Sequence, residues 1–424
     1  MEKVLIITYY WPPAGGPGVQ RWLKFTKYLK DFGYDPIVYV PENPHYPLLD
    51  SSLEEEVPQH VTVVKKRIFE PYSLAKIFSK KNTQQISSGI IAEEEKQSLL
   101  QKAMIFIRGN FFIPDARKYW IKPSIKFLSE YLQDNEIKKI ITTGPPHSLH
   151  LIGLGLKEEL DLKWIADFRD PWTSIGYHEK LRLTETSQLQ HRELERRVLH
   201  NADHLITTSF TTRNEFREKT TTPVSVITNG YDVQNHQEVK RDEKFTLSHI
   251  GSLLSGRNPV NLWKAIAELT SENDTFKEDF KMKLAGAVGE QVLNSIRAAG
   301  LSDFLELKGY VSHREALKLQ KSAQMLLLIE IDSEETRGII PGKIFEYMVS
   351  GRPIIAVGPA GADIKKIITE TNTGKFFEYS EKKELKMHIL ESYNAFKENN
   401  LEVNAVGLQK YHRKALTGEL SKLL

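Results

Sequence analysis

The chain has 424 residues, too many for one compact core, so two domains of roughly 200 residues each are expected. Its 40% hydrophobic and 27% charged residues are those of an ordinary globular protein, and a net charge of +3 is too mild to argue for a nucleic-acid partner. The absence of cysteine excludes disulfides, thiolate zinc sites and cysteine nucleophiles, and suits a reducing compartment. Met1-Glu2-Lys3 leads straight into the apolar VLIITY, so no signal peptide is expected, and no stretch approaches the ~20 apolar residues of a membrane helix. The expected location is cytoplasmic, with peripheral contact at the inner face of a membrane left open.

KVLIITYY reads as a strand buried on both faces of a parallel sheet. The turn WPPAGGPG follows, then a helix over about Pro17–Phe32 that ends at Gly33, then the strand PIVYV. Between about Leu53 and Tyr131 this alternation breaks down, and helices elaborating the first domain are expected there. KAMIFIRGNFF and RKYWIKPSIKF set cations beside bulky apolar residues. They suit a membrane-surface helix, or a buried core helix with snorkelling lysines, the slightly favoured reading. KKIITTG, KWIADF, DHLITTS and PVSVITNG continue the strand series, with helices starting near His147 and after Ser209.

The polar stretch 233–244, VQNHQEVKRDEK, has no periodicity and reads as a linker between a first domain at 1–232 and a second at 245–395. The second domain repeats the rhythm with FTLSHIG, FKMKLAG, FLELKGY, QMLLLIEI and RPIIAVG. Residues 396–424 read as a C-terminal helix packing back on the first domain. The predicted class is α/β, two Rossmann-like doubly wound domains facing a cleft.

The segment GIIPGKIFEYMVSGRPIIAVG (Gly338–Gly358) is the most informative. At ~100° per residue, Ile344, Phe345, Met348 and Val349 share one side of a helix, and Lys343, Glu346 and Ser350 the other. Pro341 suits a first helical position, Gly342 would let a ligand approach the backbone, and the preceding strand is expected to end at Ile331. Lys343 would add positive charge for a diphosphate, and Glu346 could accept two hydrogen bonds from a ribose diol. The alternative is an i,i+3 surface ion pair between them.

PGKIFEYMVSGRPIIAVG resembles the nucleotide-binding helix of the retaining glycosyltransferases of family 4, which have the GT-B fold. YYWPPAGGPGVQRWLKFTKYL resembles that family's N-terminal glycine loop and first helix. RRVLHNADHLITTS, PVSVITNGYD, HIGSLLSGRNPVNLWKAI and LKGYVSHREALKLQKSAQMLLLI resemble later segments in the same order. DFRDPW, with the long first-domain block, fits bacterial surface-polysaccharide enzymes. The resemblance implies a ribose-binding role for Glu346, a nucleotide-diphosphate sugar as donor substrate, no cofactor and no metal. The chain departs from the pattern twice. Gly338 stands where the family's first glutamate belongs, with Glu334 and Glu335 out of register. Ser252 follows Gly251 where an arginine is usual, leaving Arg257 as the phosphate partner.

In the first loop, Gly15, Gly16 and Gly18 permit unusual backbone conformations, and Arg21 in the first helical turn favours an anionic ligand there. A nicotinamide-binding fingerprint is incomplete, because Arg21 stands where the third glycine belongs. In DFRDPW, Arg169 and Asp170 are candidates for the donor phosphates and acceptor hydroxyls. A structural loop pair and a metal site are the alternatives, the latter short of the ligands a hard cation needs. His147 is a further candidate in a similar loop, whereas His249 and His313 read as structural. The expected function is a metal-independent glycosyltransferase that transfers a sugar to a glycan or lipid-linked acceptor with retention. A sugar-nucleotide epimerase and a catalytically silent scaffold of the same fold are the alternatives.

Overall fold

Strand β1 (Glu2–Ile7) opens on exposed Glu2 and Lys3 and is apolar from Val4 to Ile7, where both its faces are covered. Leu5 and Ile7 belong to one buried layer, Val4 and Ile6 to the other. The computed structural model describes residues 1–69, 99–232, 239–254 and 256–424; half of the expected linker, 233–238, lies outside the described residues. The chain divides into two units, one of Met1–Asn229 with Arg413–Leu424, the other of Gly230–His412.

In the first unit, β1 is followed by α1 (Pro17–Leu29), β2 (Tyr34–Pro41), β3 (Thr62–Lys66), α2 (Leu99–Phe111), α3 (Ile121–Asp134) and β4 (Lys139–Gly144). Then come α4 (Ser148–Glu159), β5 (Lys163–Phe168), α5 (Gly176–Glu179), α6 (Glu185–Asn201), β6 (His204–Thr207), α7 (Phe210–Lys219) and β7 (Val224–Val226). Helix α1 passes into a 3-10 turn that stops at Gly33, whose φ of 88° a side chain would resist. Ser209 caps α7 by accepting from the Thr212 N–H at 3.0 Å. The seven strands run parallel in the order β3-β2-β1-β4-β5-β6-β7.

The second unit contains β8 (Phe245–Ile250), α8 (Val260–Glu272), α9 (Asp274–Asp279), β9 (Phe280–Ala285), α10 (Glu290–Ala298), β10 (Leu305–Gly309) and α11 (His313–Ser322). It continues through β11 (Met325–Ile329), α12 (Lys343–Val349), β12 (Ile354–Gly358), α13 (Asp363–Thr371), β13 (Gly374–Glu378) and α14 (Lys382–Lys397). Its parallel order is β10-β9-β8-β11-β12-β13. Residues 239–244 pack on this unit: Asp242 pairs with Lys283 at 2.8 Å, and its N–H donates to the Ser322 carbonyl. The last helix, α15 (Arg413–Ser421), belongs to the first unit, where Leu416 and Leu420 join the layer that holds Trp22 and Leu23 of α1.

Both sheets reverse direction once, at β1/β4 and at β8/β11. Parallel α/β sheets leave a crevice at the carboxyl end of such a pair, and ligands bind there. Two expectations are corrected along the way. Strand β11 ends at Ile329, not Ile331, which turns Glu330 into the first residue beyond the strand. Helix α2 is not a buried core helix: it buries Ile105 but leaves Phe106, Ile107 and Phe111 exposed at 40, 48 and 63%.

The most buried charge in the first unit is Asp167, fully enclosed on β5. Its two oxygens accept from Arg21 Nε at 3.2 Å and Nη2 at 2.7 Å, Trp22 Nε1 at 2.9 Å and Thr143 Oγ1 at 2.9 Å. Arg21 Nη1 donates to the Thr228 carbonyl. A bidentate ion pair satisfied on every side tolerates burial; half of one does not. Asp167→Ala, which strands the Arg21 charge, is expected to cost about 3–5 kcal/mol in urea unfolding. Asp167→Asn keeps acceptors for Trp22 and Thr143 and should cost less.

Candidate functional site

The second unit's switch point is built from the loop after β8, the residue after β11 and the start of α12. Gly251 leaves β8 with φ 131°, and a Cβ there would overlap Lys343 Nζ. The hydroxyl of Tyr347 accepts from the Ile250 N–H at 2.9 Å and donates to the Ile250 carbonyl at 3.1 Å, stapling α12 to the end of β8. Lys343 is thereby held over the Gly251 backbone. Its nearest side-chain partner is His249 Nε2, at 3.5 Å. His249 Nδ1 donates to the Leu327 carbonyl at 2.9 Å, so Nε2 is left as the acceptor for the ammonium. Burial, with Lys343 alongside, lowers the imidazole to about 3 and keeps it neutral.

Lys343 and Glu346 make no ion pair with each other, so the surface-pair alternative is not what forms. Lys343 turns toward Gly251 and His249. Glu346 turns toward α11, where Gln320 Nε2 donates to it at 3.0 Å and His313 lies 4.0 Å away. Ile344, Phe345, Tyr347 and Met348 form the buried side of α12. The helix is seven residues long and begins at Lys343 rather than Pro341, so side chains dominate its charge contribution. Gly342 has a helical φ of −56°, and a Cβ there would meet open space.

The sequence reading missed the carboxylate at the centre. Glu330 is 2% exposed, and its Oε2 lies 3.9 Å from Arg257. Burial raises it to about 7, against the opposing pull of Arg257 and Lys343. Lys343 is lowered to about 8, first by burial. Both shifts point to a site where charge is poorly solvated. Only its place one residue beyond the strand distinguishes Glu330, and that place was obscured while LLLIEI read as one continuous strand.

In the first unit, the loops after β1, β4 and β5 and the start of α1 bring Tyr10, His147, Arg169 and Gly18 together. A Cβ at Gly18 would overlap the Arg169 guanidinium, which also donates to the Gly144 and Pro145 carbonyls and lies over the Tyr10 ring. Asp170 beside it is half-buried and has no hydrogen-bond partner among the described residues; burial raises its carboxyl while Arg169 opposes. His147 is stacked on Trp172 at 4.7 Å, 5% exposed, with both ring nitrogens unpartnered among the described residues. Burial lowers it well below the usual imidazole range, with His150 adding to the effect. Asp115 holds the end of this loop, where α4 begins, by accepting from the Ser148 N–H and hydroxyl.

Arg21 is not part of this cluster. Its anion is Asp167 of the same chain, so the ligand expected at that arginine is not needed to explain it. Gly16, φ 101°, precedes α1, and Gly15 packs against Leu48. Among the described residues, no group of three or more His, Asp or Glu is arranged to hold a metal ion.

No protein-family model matches this sequence, and no curated protein does. Solved structures do share its fold. Anabaena HepE, solved with UDP and glucose, is 14% identical with a TM-score of 0.59, over 100% of this chain and 99% of that one. WaaG, a glycosyltransferase of lipopolysaccharide biosynthesis, is 12% identical with a TM-score of 0.53, over 99% of each. A Listeria monocytogenes protein whose proposed activity is that of a UDP-N-acetylglucosamine 2-epimerase is 11% identical with a TM-score of 0.52, over 99% of this chain and 94% of that one. At these identities the similarity shows the fold, which is the GT-B fold of glycosyltransferases.

The raised Glu330 has a thermodynamic signature. The folded protein keeps a proton on it that the unfolded chain releases near pH 4.5, so stability falls as pH rises from there to about 7. Relative to Glu330→Gln, wild type should lose about 3 kcal/mol between pH 4 and pH 8, read from urea midpoints.

Proposed function

We propose that the chain is a retaining, metal-independent glycosyltransferase. It would move a sugar from a nucleoside-diphosphate sugar to a glycan or lipid-linked acceptor, in polysaccharide biosynthesis. The observation that carries this reading is the divergence of Lys343 and Glu346. Two opposite charges on one face of α12 leave each other unpaired, and Lys343 lies in the same switch-point cluster as Arg257. Arg257 and Lys343 would stabilise the negative charge that gathers on the diphosphate as the glycosidic bond breaks. Glu346 would accept from the ribose hydroxyls, for which a carboxylate has the capacity.

In the first unit, Asp170 would accept from a sugar hydroxyl, and Arg169 beside it would meet an anionic group. A neutral His147, its ring nitrogens enclosed, would hold this loop for the acceptor rather than carry charge. The resemblance to family 4 supports retention, and the bacterial polysaccharide motifs support the acceptor class. The epimerase alternative differs in outcome, because it would interconvert sugar nucleotides with no acceptor.

Calorimetric titration with UDP, GDP, dTDP and CMP tests the donor site. One nucleoside diphosphate should bind, and Glu346→Ala or Lys343→Ala should weaken it about 10- to 100-fold, the value of one charge-assisted hydrogen bond. Binding that both variants leave untouched would refute the reading. So would conversion of the sugar nucleotide to an isomer without acceptor. No binding at all would favour the scaffold.

A peripheral membrane contact is proposed for the first unit. Between 99 and 126 the chain carries Lys102, Arg108, Lys118, Lys122 and Lys126, besides a buried Arg117 bonded to Tyr9, against a single acid, Asp115, which is engaged at α4. Exposed Phe106, Ile107 and Phe111 lie in the same stretch. Flotation with phosphatidylglycerol vesicles at low salt should carry the protein upward. Phe106→Ser with Phe111→Ser should reduce that severalfold, and equal flotation of both proteins would count against the contact.

A further inference from the structure

Glu330 is fixed more firmly than a chance buried carboxylate. Its N–H donates to the Val357 carbonyl at 2.8 Å, and its own carbonyl accepts from the Tyr379 hydroxyl at 2.6 Å. Its Cβ faces Gly358, where an added Cβ would stand in ordinary contact with it at 3.5 Å. The backbone is pinned between β12 and β13, and the carboxylate is held among the cations of the switch point. Yet that carboxylate has no hydrogen bond on Oε2 among the described residues, and its closest cation there, Arg257, stops at 3.9 Å. Lys343 spends its contact on His249 instead. An acid sitting this close to two cations without bonding to either resembles a placeholder more than a salt bridge.

We propose that Glu330 is a positioning residue that stands in for the donor diphosphate, balancing Arg257 and Lys343 in the free protein and taking a proton from solvent when the diphosphate arrives. This rests on the reading that a nucleoside diphosphate binds at these two cations. The arriving phosphates bring further negative charge beside a buried carboxylate whose Oε2 has no hydrogen-bond partner among the described residues. Its ionised form then becomes the unfavourable one. The charged and titratable groups facing Glu330 are Arg257 before α8, Lys343 on α12, Asp332 after β11 and Tyr379 after β13, with neutral His249 behind Lys343 on β8. Lys343 also titrates near neutrality, so a bare count of protons would mix the two groups, and the carboxyl must be observed directly.

The test is a difference infrared spectrum on adding UDP at pH 8, with affinities measured at pH 6 and pH 8. UDP binding should produce the C=O band of a protonated carboxyl in wild type, and Glu330→Gln should lack that band. With Glu330 titrating at about 7, only about one wild-type molecule in ten holds the proton at pH 8. Glu330→Gln should therefore bind UDP about tenfold more tightly than wild type at pH 8, with the gap closing toward pH 6. UDP bound without the carboxyl band, a band that persists in Glu330→Gln, or a variant that binds no more tightly at pH 8 each overturns the inference alone. Failure of wild type to bind UDP, GDP or dTDP overturns it together with the donor-site reading.

Discussion

The reversal of strand order is the constraint from which the rest follows. In a parallel sheet every crossover helix lands on one face or the other, and where the sequence turns back on itself two neighbouring loops must part. Each unit has one such place, at β1/β4 and β8/β11. The chain's unusual polar residues gather there because nowhere else does an all-parallel sheet, covered on both faces, leave backbone and side chains uncovered at a strand end. Glu330, Lys343 and Gly251 owe their proximity to this geometry, although 92 residues separate Gly251 from Lys343 in the sequence.

Charge management differs between the two units. Asp167 and Arg21 are buried as a closed set, with every carboxylate oxygen occupied, and the result is a rigid strut between α1 and β5. Glu330, Arg257 and Lys343 are an open set, with distances too long for full pairing and a carboxylate oxygen left unmet. The first arrangement tolerates burial and is costly to break by halves. The second leaves charge unpaired inside the fold, at a cost in stability that grows with pH. Buried ion pairs therefore cannot be ranked by proximity alone; what decides their role is whether the hydrogen-bond inventory closes.

Much of the fold was legible because buried parallel strands leave a plain signature. KVLIITYY, KKIITTG and RPIIAVG need no partner to be read. Capping residues such as Ser209 mark helix starts locally. What escaped was long-range. Arg21 looked like a ligand arginine because its carboxylate lies 146 residues away, on another strand. Glu330 looked like part of a strand because the apolar run around it hides where pairing stops. His249 was read as structural, and its burial fits that reading, yet its tautomer directs Nε2 at Lys343. Periodicity reports which face a residue occupies, not which distant residue shares that face.

The Gly251 turn carries a consequence for how such a sequence can change over generations. A Cβ at Gly251 would overlap Lys343 Nζ, and one at Gly286 would press on the Gly251 carbonyl at 2.5 Å. Both glycines also hold positive φ, 131° and 117°. The two obstacles differ in kind. At Gly286 a side chain would meet backbone, which cannot step aside, whereas at Gly251 it would meet the tip of a lysine, which can. Over generations the turn is therefore held at Gly251 by its backbone angle, and at Gly286 by both the angle and the neighbouring chain.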